Sequence, residues 1–269
     1  MLYPVPRAMG LFSQAGPRRM SGGGVVVPTP TAYWKLNEAA TVDPLDASGN
    51  GHNLGHGGAI RPGAAADGPF GASRTWTNGG SEYAFSDPPA SWWDVSAGGP
   101  WTLTTWINLG ASAFGEIFKT GNFDNGQLLL WISGGYRIVA YNTSAGGQDS
   151  IAITTETIAT NGTEFHFIAC RYDGAAAGSA KIEISVDAGA WHTTSSAFPA
   201  TYNSAQDLYI GGNTNKPTAH MARMGWWNGT KLSDAQIVAL YNGGSGADPD
   251  EVEGAVDGED PCDGVHQRG

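Results

Sequence analysis

The stretch Trp101-Thr-Leu-Thr-Thr-Trp-Ile-Asn-Leu109 decides the fold class of this chain. Apolar or β-branched side chains recur at every second position from Trp101 to Leu109. A period of two is that of a β-strand, in which successive side chains point to opposite faces. The segment is therefore predicted to be a strand with this series on one face and Trp106 on the other.

Short segments with the same alternation recur along most of the chain, separated by Gly-rich turns. The Gly134-Gly135 pair predicts a hairpin between two of them. About a dozen short strands with regular turns are typical of an all-β sandwich. The predicted strands are 31–37, 81–85, 101–109, 116–119, 127–132, 136–141, 150–154, 164–172, 181–186, 207–212 and 221–227.

One short helix is predicted after the last strand. Ser233 is a good N-cap residue, because its side chain can accept a hydrogen bond from the first turn. From Ile237 onwards, apolar residues fall at helical spacing and form one stripe. Gly243 is predicted to end the helix.

Composition agrees with a single β-domain and two tails. The chain has 269 residues, of which 41% are hydrophobic, 14% are charged and 40 are Gly. All-β sandwiches of this size occur as one domain. We predict an extended, proline-rich arm over 1–30, the sandwich over 31–244 and an acidic tail over 245–269.

The charges are unevenly distributed. The net charge is −11, and eight of the 25 acidic residues lie between 248 and 263. The arm is basic through Arg7, Arg18 and Arg19. Since there is no basic stripe, nucleic-acid binding is not expected. No apolar run is long enough to span a membrane, and no secretion signal is evident at the N-terminus. The two cysteines, Cys170 and Cys262, are predicted to be free thiols.

Several segments, taken in order, resemble the laminin G-like jelly rolls of the concanavalin A-like lectin and glucanase superfamily. The resemblance implies two antiparallel sheets, one of them concave. In relatives the concave face or its rim often binds glycans or protein partners, sometimes through calcium. The resembling segments are Tyr33-Trp-Lys-Leu-Asn-Glu38, Trp101–Ile107, Phe165-His-Phe-Ile-Ala-Cys-Arg-Tyr-Asp-Gly174, Ile184-Ser-Val-Asp-Ala-Gly189, Leu208-Tyr-Ile-Gly-Gly-Asn213 and Trp227–Ile237.

Three tryptophans are candidate carbohydrate-binding residues. Trp92 and Trp93 are adjacent in a segment without a clear period, so one of them is a candidate for an exposed ring. Trp227 follows Trp226 and is a candidate for the same reason. An exposed aromatic ring beside Asn and Asp side chains makes a sugar platform. The alternative is that these rings close the edge of the sandwich or a subunit contact.

Calcium is the one candidate cofactor. Asp46, Ser48 and Asn50 form an oxygen-rich turn, and Asp124 lies in a second such loop. The alternative role for these side chains is turn hydrogen bonding. The resemblance also implies acidic ligands in the closing strand, but this chain has Met221-Ala-Arg-Met224 there. The family-type calcium site is therefore not expected.

The sequence favours binding over catalysis. Glucanases of this fold need two carboxylates that flank the scissile bond, and no strand of the predicted sandwich carries such a pair. We expect a non-enzymatic structural or adhesive protein, a virion component such as a capsid decoration or tail fibre of a phage. Its expected partners are neighbouring virion subunits through the arms, a cell-surface glycan, and other copies of itself. The alternatives are a bacterial extracellular carbohydrate-binding module or adhesin, and a divergent glycoside hydrolase.

Overall fold

The computed structural model describes residues 25–39, 42–57, 61–62, 70–77, 83–86, 91–93, 99–110, 115–122, 126–133, 137–144, 147–153, 158–159, 162–174, 181–193, 208–212 and 217–252. Within them the chain forms two antiparallel sheets and one short α-helix. The predicted all-β, two-sheet sandwich is confirmed. Most residues of the predicted arm and tail lie outside the described residues.

Sheet A contains eight strands, in the order β13-β12-β11-β6-β15-β4-β3, with β1 also paired to β15. They are β1 (Ala32–Trp34), β3 (Arg61–Pro62), β4 (Arg74–Trp76), β6 (Trp101–Leu109), β11 (His166–Tyr172), β12 (Glu183–Val186), β13 (His192–Thr193) and β15 (Ala219–Asn228).

Sheet B contains seven strands, in the order β10-β9-β8-β7-β14-β5-β2. They are β2 (Gly55–Gly57), β5 (Tyr83–Ser86), β7 (Gly115–Asn122), β8 (Gly126–Ser133), β9 (Arg137–Ser144), β10 (Gly147–Ile153) and β14 (Leu208–Ile210). Short 3₁₀ turns at Ser91–Trp93, Asn242–Gly244 and Pro249–Val252 complete the described structure.

The last strand, β15, joins the two ends of the domain. Along one side it pairs with β6, and along the other it pairs first with β4 and then with β1. A bulge between Ala222 and Gly225 separates these two partners, and Arg223 within it has a left-handed φ of 50°. A bulge bends its strand, and here it redirects β15 from one partner to the next.

The main core lies between the sheets. On β6, the alternate residues Trp101, Leu103, Ile107 and Leu109 are all 2% exposed or less and belong to this core, as predicted. Cys170 on β11 is also part of it and is a free thiol, as predicted. Burial raises the pKa of that thiol above its usual range.

A second apolar cluster covers the opposite face of sheet A. Trp106 belongs to it, which confirms that its side chain points away from the other β6 tryptophan. The ring of Tyr241 stacks on Trp106 at a centroid distance of 5.8 Å. Because both faces of sheet A are covered, all nine residues of β6 are buried. The buried members of the cluster are Val27, Trp106, Phe167, Ala169, Ala222, Trp227, Leu232, Ile237 and Leu240.

The predicted helix is α1 (Asp234–Tyr241), and it provides much of this cover. The Ser233 side chain accepts from the Gln236 backbone N–H, and the Gln236 side chain accepts from Ser233 N–H. This reciprocal capping box explains why the helix begins here. Asn242 ends the helix in a left-handed conformation, one residue before the predicted Gly243.

Ordered packing extends beyond the predicted limits of 31 and 244. Val27 is 4% exposed, and Asp248 is 6% exposed. The chain segment Val25–Glu253 forms one compact unit. The last residues of the predicted arm and the first residues of the predicted tail therefore belong to the outer cover of sheet A. No helix among the described residues is long and apolar enough to cross a membrane.

Candidate ligand-binding face

The outer face of sheet B carries a different set of side chains. In β7, a bulge between Glu116 and Phe118 places both Ile117 and Phe118 in the core. Glu116 and Lys119 consequently point to the outer face. The Lys119 Nζ lies 3.5 Å from a carboxylate oxygen of Glu116. The two form an ion pair whose side chains are 13% and 4% exposed.

Two half-exposed aromatic residues flank this ion pair. Trp131 on β8 lies directly opposite Glu116, and Tyr209 on β14 lies directly opposite Lys119. Directly opposed residues of antiparallel strands share a face, with Cβ atoms about 5 Å apart. The set of Glu116, Lys119, Trp131 and Tyr209 is called the sheet B face below. Leu130 and Ile132 take the inward positions of β8, so Trp131 between them points to the outer face and not into the core.

The sheet B face combines aromatic rings with charged hydrogen-bonding groups. Rings offer apolar planes for the C–H faces of a sugar or for an apolar side chain. Between them, the partly exposed Lys119 ammonium group can donate hydrogen bonds to a ligand, whereas the Glu116 carboxylate is buried and holds Lys119 in place. Among the described side chains of this face, Glu116 is the single carboxylate, and Lys119 compensates its charge. Tyr209 lies between the apolar residues Leu208 and Ile210, but 128–132 is a continuous apolar run whose sequence carries no signal that Trp131 points outward.

Trp92 and Trp93 lie in the 3₁₀ turn Ser91–Trp93 at the end of the sandwich. Trp93 is fully buried in the main core, so its ring offers no face to a sugar. Trp92 is partly buried, and its ring stacks on His52 at 4.3 Å with an angle of 15°. Its carbonyl accepts a hydrogen bond from the Trp226 indole. Of this pair, Trp92 alone keeps part of its ring accessible, with His52 against one side.

Trp227 is 2% exposed, and the expectation of an exposed ring there is wrong. Trp226 and Trp227 do point to opposite faces of β15, but both faces of sheet A are covered. The Trp227 indole donates to the Pro28 carbonyl at 2.7 Å. Its ring also lies so close to Gly225 that a Cβ there would come within 2.6 Å of it. Trp227 thus fixes the N-terminal segment onto sheet A.

The candidate calcium turn is saturated with hydrogen bonds. The Asp46 carboxylate accepts from the backbone N–H groups of Tyr33, Ser48 and His52, each at 2.9 Å. It also accepts from the Ser48 hydroxyl. Asn50 points its amide N–H at the carbonyls of Pro30 and Thr31, at 3.2 and 3.0 Å. These donors occupy the positions that a cation would need.

The electrostatics of Asp46 agree with this arrangement. Burial acts to raise the pKa of Asp46, but the hydrogen bonds from Tyr33, Ser48 and His52 outweigh it and hold the pKa below its usual value. The turn therefore anchors the strand β1 through a carboxylate that stays charged. Asp124, the third candidate ligand, lies outside the described residues. Within the described part of the chain, no group of three or more His, Cys, Asp or Glu is placed to hold a metal ion.

The comparisons with known proteins agree with the architecture. The family model of the laminin G domain matches residues 111–226. No curated protein sequence is significantly similar to the chain.

Solved structures with the same fold are similar at low sequence identity. The receptor binding domain of botulinum neurotoxin C/D mosaic serotype is 11% identical, with a TM-score of 0.61 over 80% of this chain and 51% of that one. A second structure is that of botulinum neurotoxin type C, a toxin whose cell entry depends on interaction with two ganglioside molecules. It is 11% identical, with a TM-score of 0.57 over 77% of this chain and 51% of that one. This chain thus spans about half the length of the neurotoxin domains.

A third structure is matched over nearly its whole length. Domain 4 of AbnA, a GH43 extracellular arabinanase from Geobacillus stearothermophilus, in complex with arabinotriose, is 15% identical, with a TM-score of 0.57. The match covers 79% of this chain and 98% of that one. Together with the family match, the two sheets described above confirm the resemblance inferred from the sequence: the chain carries a laminin G-like jelly-roll sandwich of the concanavalin A-like type.

Proposed function

We propose that this sandwich is a non-catalytic binding module that holds an extracellular glycan on the sheet B face, and that it is displayed on a particle such as a phage virion. The observation that carries the glycan part is the pairing of two half-exposed aromatic residues, Trp131 and Tyr209, across an ion pair on one sheet face. Such a face supplies both the ring planes and the polar groups that sugars need.

A binding role is supported over catalysis by the charge arrangement. A glycosidase needs two carboxylates about 5–9 Å apart, one of them able to donate a proton. On the sheet B face, Glu116 is ion-paired with Lys119 at 3.5 Å. Among the described side chains there, it has no second carboxylate beside it. The arabinotriose complex supports the same reading, because that domain has this fold and contains a bound sugar.

The virion part of the proposal is supported by the sequence of the two ends. A basic N-terminal arm and an acidic C-terminal tail give one chain two oppositely charged ends, which suit contacts with neighbouring subunits. A free-standing carbohydrate-binding module or adhesin would use the same face. The two settings are separated by sedimentation: a virion protein sediments with particles from a lysate, and a free-standing module stays in the supernatant.

Glycan binding is tested by a glycan array followed by calorimetry with the best array ligand. Trp131→Ala and Tyr209→Ala are each expected to weaken binding at least about tenfold, since one stacking contact is worth about 1.4 kcal/mol or more. Trp191→Ala is the matched control, because Trp191 is a half-exposed tryptophan that packs on the sheet A side. Trp92→Ala tests the site predicted from the sequence.

The outcomes separate the possibilities. Loss of binding in Trp131→Ala with normal binding in Trp191→Ala supports the sheet B face. Loss in Trp92→Ala alone would move the site to the end of the sandwich. An array without any ligand for the wild-type protein would overturn the glycan proposal.

A further inference from the structure

A small pocket opens where three segments meet beside β1. Its volume is about 80 Å³. The N-terminal segment contributes Val27 and Pro30, the turn after Asp46 contributes Ser48, and the final 3₁₀ turn contributes Pro249. This junction pocket is completed by Thr29, Tyr33, Ala47 and Asp250. It lies next to sheet A, through Tyr33 of β1, and shares no residue with the sheet B face.

A polar cluster around the buried carboxylate of Asp248 fixes the Tyr33 wall of the junction pocket. The Tyr33 hydroxyl donates to Asp248. Lys35 Nζ lies 2.9 Å and Arg223 Nε 3.3 Å from oxygens of the same carboxylate. The charge of Asp248 is therefore compensated by two cations, and the Tyr33 ring is fixed as a wall.

Asp250 differs from Asp248 in its exposure and in its ion pairing. It is exposed, and within the described part of the chain it forms no ion pair. The hydroxyl of Ser48, on the opposite wall, is already engaged with Asp46 and with the Asn50 N–H. Within the described part of the chain, the pocket thus presents one carboxylate without an ion pair, above walls of mixed character. Val27, Pro30, Pro249 and the Tyr33 ring give these walls their apolar part, and Thr29 and Ser48 give them polar groups.

The size of the pocket limits what can enter. Pockets that enclose whole small molecules measure about 300–1,000 Å³, several times this volume. A single extended side chain is a better match. The apolar part of the walls suits the methylene stem of Lys or Arg, whose charged head then remains at the rim. The Tyr33 ring adds cation–π attraction, and Asp250 supplies the opposite charge.

We infer that the junction pocket receives the side chain of a Lys or Arg residue from a partner protein. The charge of the occupant follows from the uncompensated carboxylate at the rim. Its extended shape follows from the small volume of the pocket and from the apolar groups of Val27, Pro30 and Pro249 in its walls. Since both charged groups stay close to water, one such contact is weak, and it would act as one point of a larger interface.

The inference is tested by NMR on the ¹⁵N-labelled full chain. The probes are Nα-acetyl-lysine methylamide and Nα-acetyl-arginine methylamide, with Nα-acetyl-norleucine methylamide as the uncharged comparison. The two cationic probes are expected to shift the amide signals of Ala47, Ser48 and Asp250 in a saturable way in the millimolar range. The norleucine compound should bind at least about fivefold more weakly.

Two charge-matched variants locate the effect. Asp250→Asn is expected to weaken the cationic probes about fivefold, because it removes the carboxylate but keeps the shape. Glu164→Gln removes one exposed negative charge that does not line the pocket, and it should leave binding unchanged. Both residues are exposed, so neither substitution is expected to disturb the fold, and thermal unfolding of each variant checks this.

Three results would overturn the inference. The first is equal binding of the cationic probes to Asp250→Asn and wild type. The second is an equal loss in Glu164→Gln, which would indicate a general charge effect. The third is that arabinotriose produces the same shifts as the basic probes, which would assign the pocket to sugar. A decrease in binding between 50 and 300 mM NaCl is a further required result, since the contact is electrostatic at the rim.

Discussion

The outer faces of sheets A and B both carry tryptophan residues, but their surroundings differ. On sheet A, Trp106 and Trp227 belong to the cluster formed with α1, with Val27 before the first strand and with Val252 after the helix. Both tryptophans are 2% exposed. On sheet B, Trp131 stays half-exposed beside the Glu116–Lys119 ion pair. One face has become a second core, and the other keeps aromatic surface within reach of solvent.

The difference arises from segments that lie outside the strands, and not from the strands alone. A β-sandwich needs only its two inner faces to form a core. Here the helix Asp234–Tyr241 and the segment around Asp248 add cover to one outer face. Covering a face stabilises the domain and removes that face from ligand binding. We therefore expect stability and binding to be separable between the two sheets.

Trp106→Ala and Trp131→Ala give the largest contrast. Trp106→Ala opens a cavity in a fully packed cluster and should lower the free energy of unfolding by about 4 kcal/mol. Trp131→Ala removes a half-exposed ring and should cost about 1 kcal/mol or less. Urea unfolding of both variants measures the difference. Equal losses would mean that sheet B is covered as completely as sheet A.

Asp248→Asn tests how the cover is attached. It weakens the contacts to Tyr33, Lys35 and Arg223, and should lower the free energy of unfolding by about 2 kcal/mol at pH 7. Burial acts to raise the pKa of Asp248, but hydrogen bonds from Tyr33 and Lys35 and the Arg223 charge hold it below its usual value.

The pH dependence of this variant follows from that lowered pKa. A carboxylate with a lowered folded-state pKa contributes its full stabilisation above the unfolded value of about 4, and loses it as the pH falls through the folded value. The gap between wild type and Asp248→Asn should therefore be constant from pH 7 to about 5 and shrink below about pH 4. Asp250→Asn, an exposed neighbour, serves as the control and should show no such gap. A gap that widens in acid would contradict the assignment.

Ser233→Ala is expected to give the smallest effect, a loss of about 1 kcal/mol, because one N-cap hydrogen bond is removed. Hydrogen exchange should become faster in α1 and in the outer positions of β6 and β11 that the helix covers, with no change in β7 or β8. Exchange that rises in α1 alone would show that the helix is not needed to protect sheet A.

The fold was largely predictable because the sandwich strands alternate over enough residues to show a period. Trp101–Leu109 is the clearest case, and Ser233 marked the start of α1. The strand Arg74–Trp76 was missed, since three residues are too few to reveal a period. Its tryptophan is nevertheless fully buried, packed against Gly211, where a Cβ would overlap the ring.

The site was less predictable for a different reason. Alternation tells which side of a strand a residue faces, but not whether another element covers that side. Trp227 faces outward as expected, yet Pro28 and the second cluster lie over it. Trp131 is also outward and stays half-exposed. Asp46 shows the same limit, because its oxygen-rich turn is compatible with a cation or with backbone N–H groups, and only the fold brings Tyr33 to it.

The chemical labelling of Cys170 can report how often the sandwich opens. Its thiol lies in the main core at 2% exposure, and burial raises its pKa, so it is protonated and out of reach of reagents in the closed state. A thiol-reactive dye can modify it only in molecules whose sheets have separated. In a Cys262→Ser background, the labelling rate without added denaturant would measure how frequently the sheets separate under native conditions. Glycan binding to the closed sandwich would lower the labelling rate of Cys170 in proportion to site occupancy.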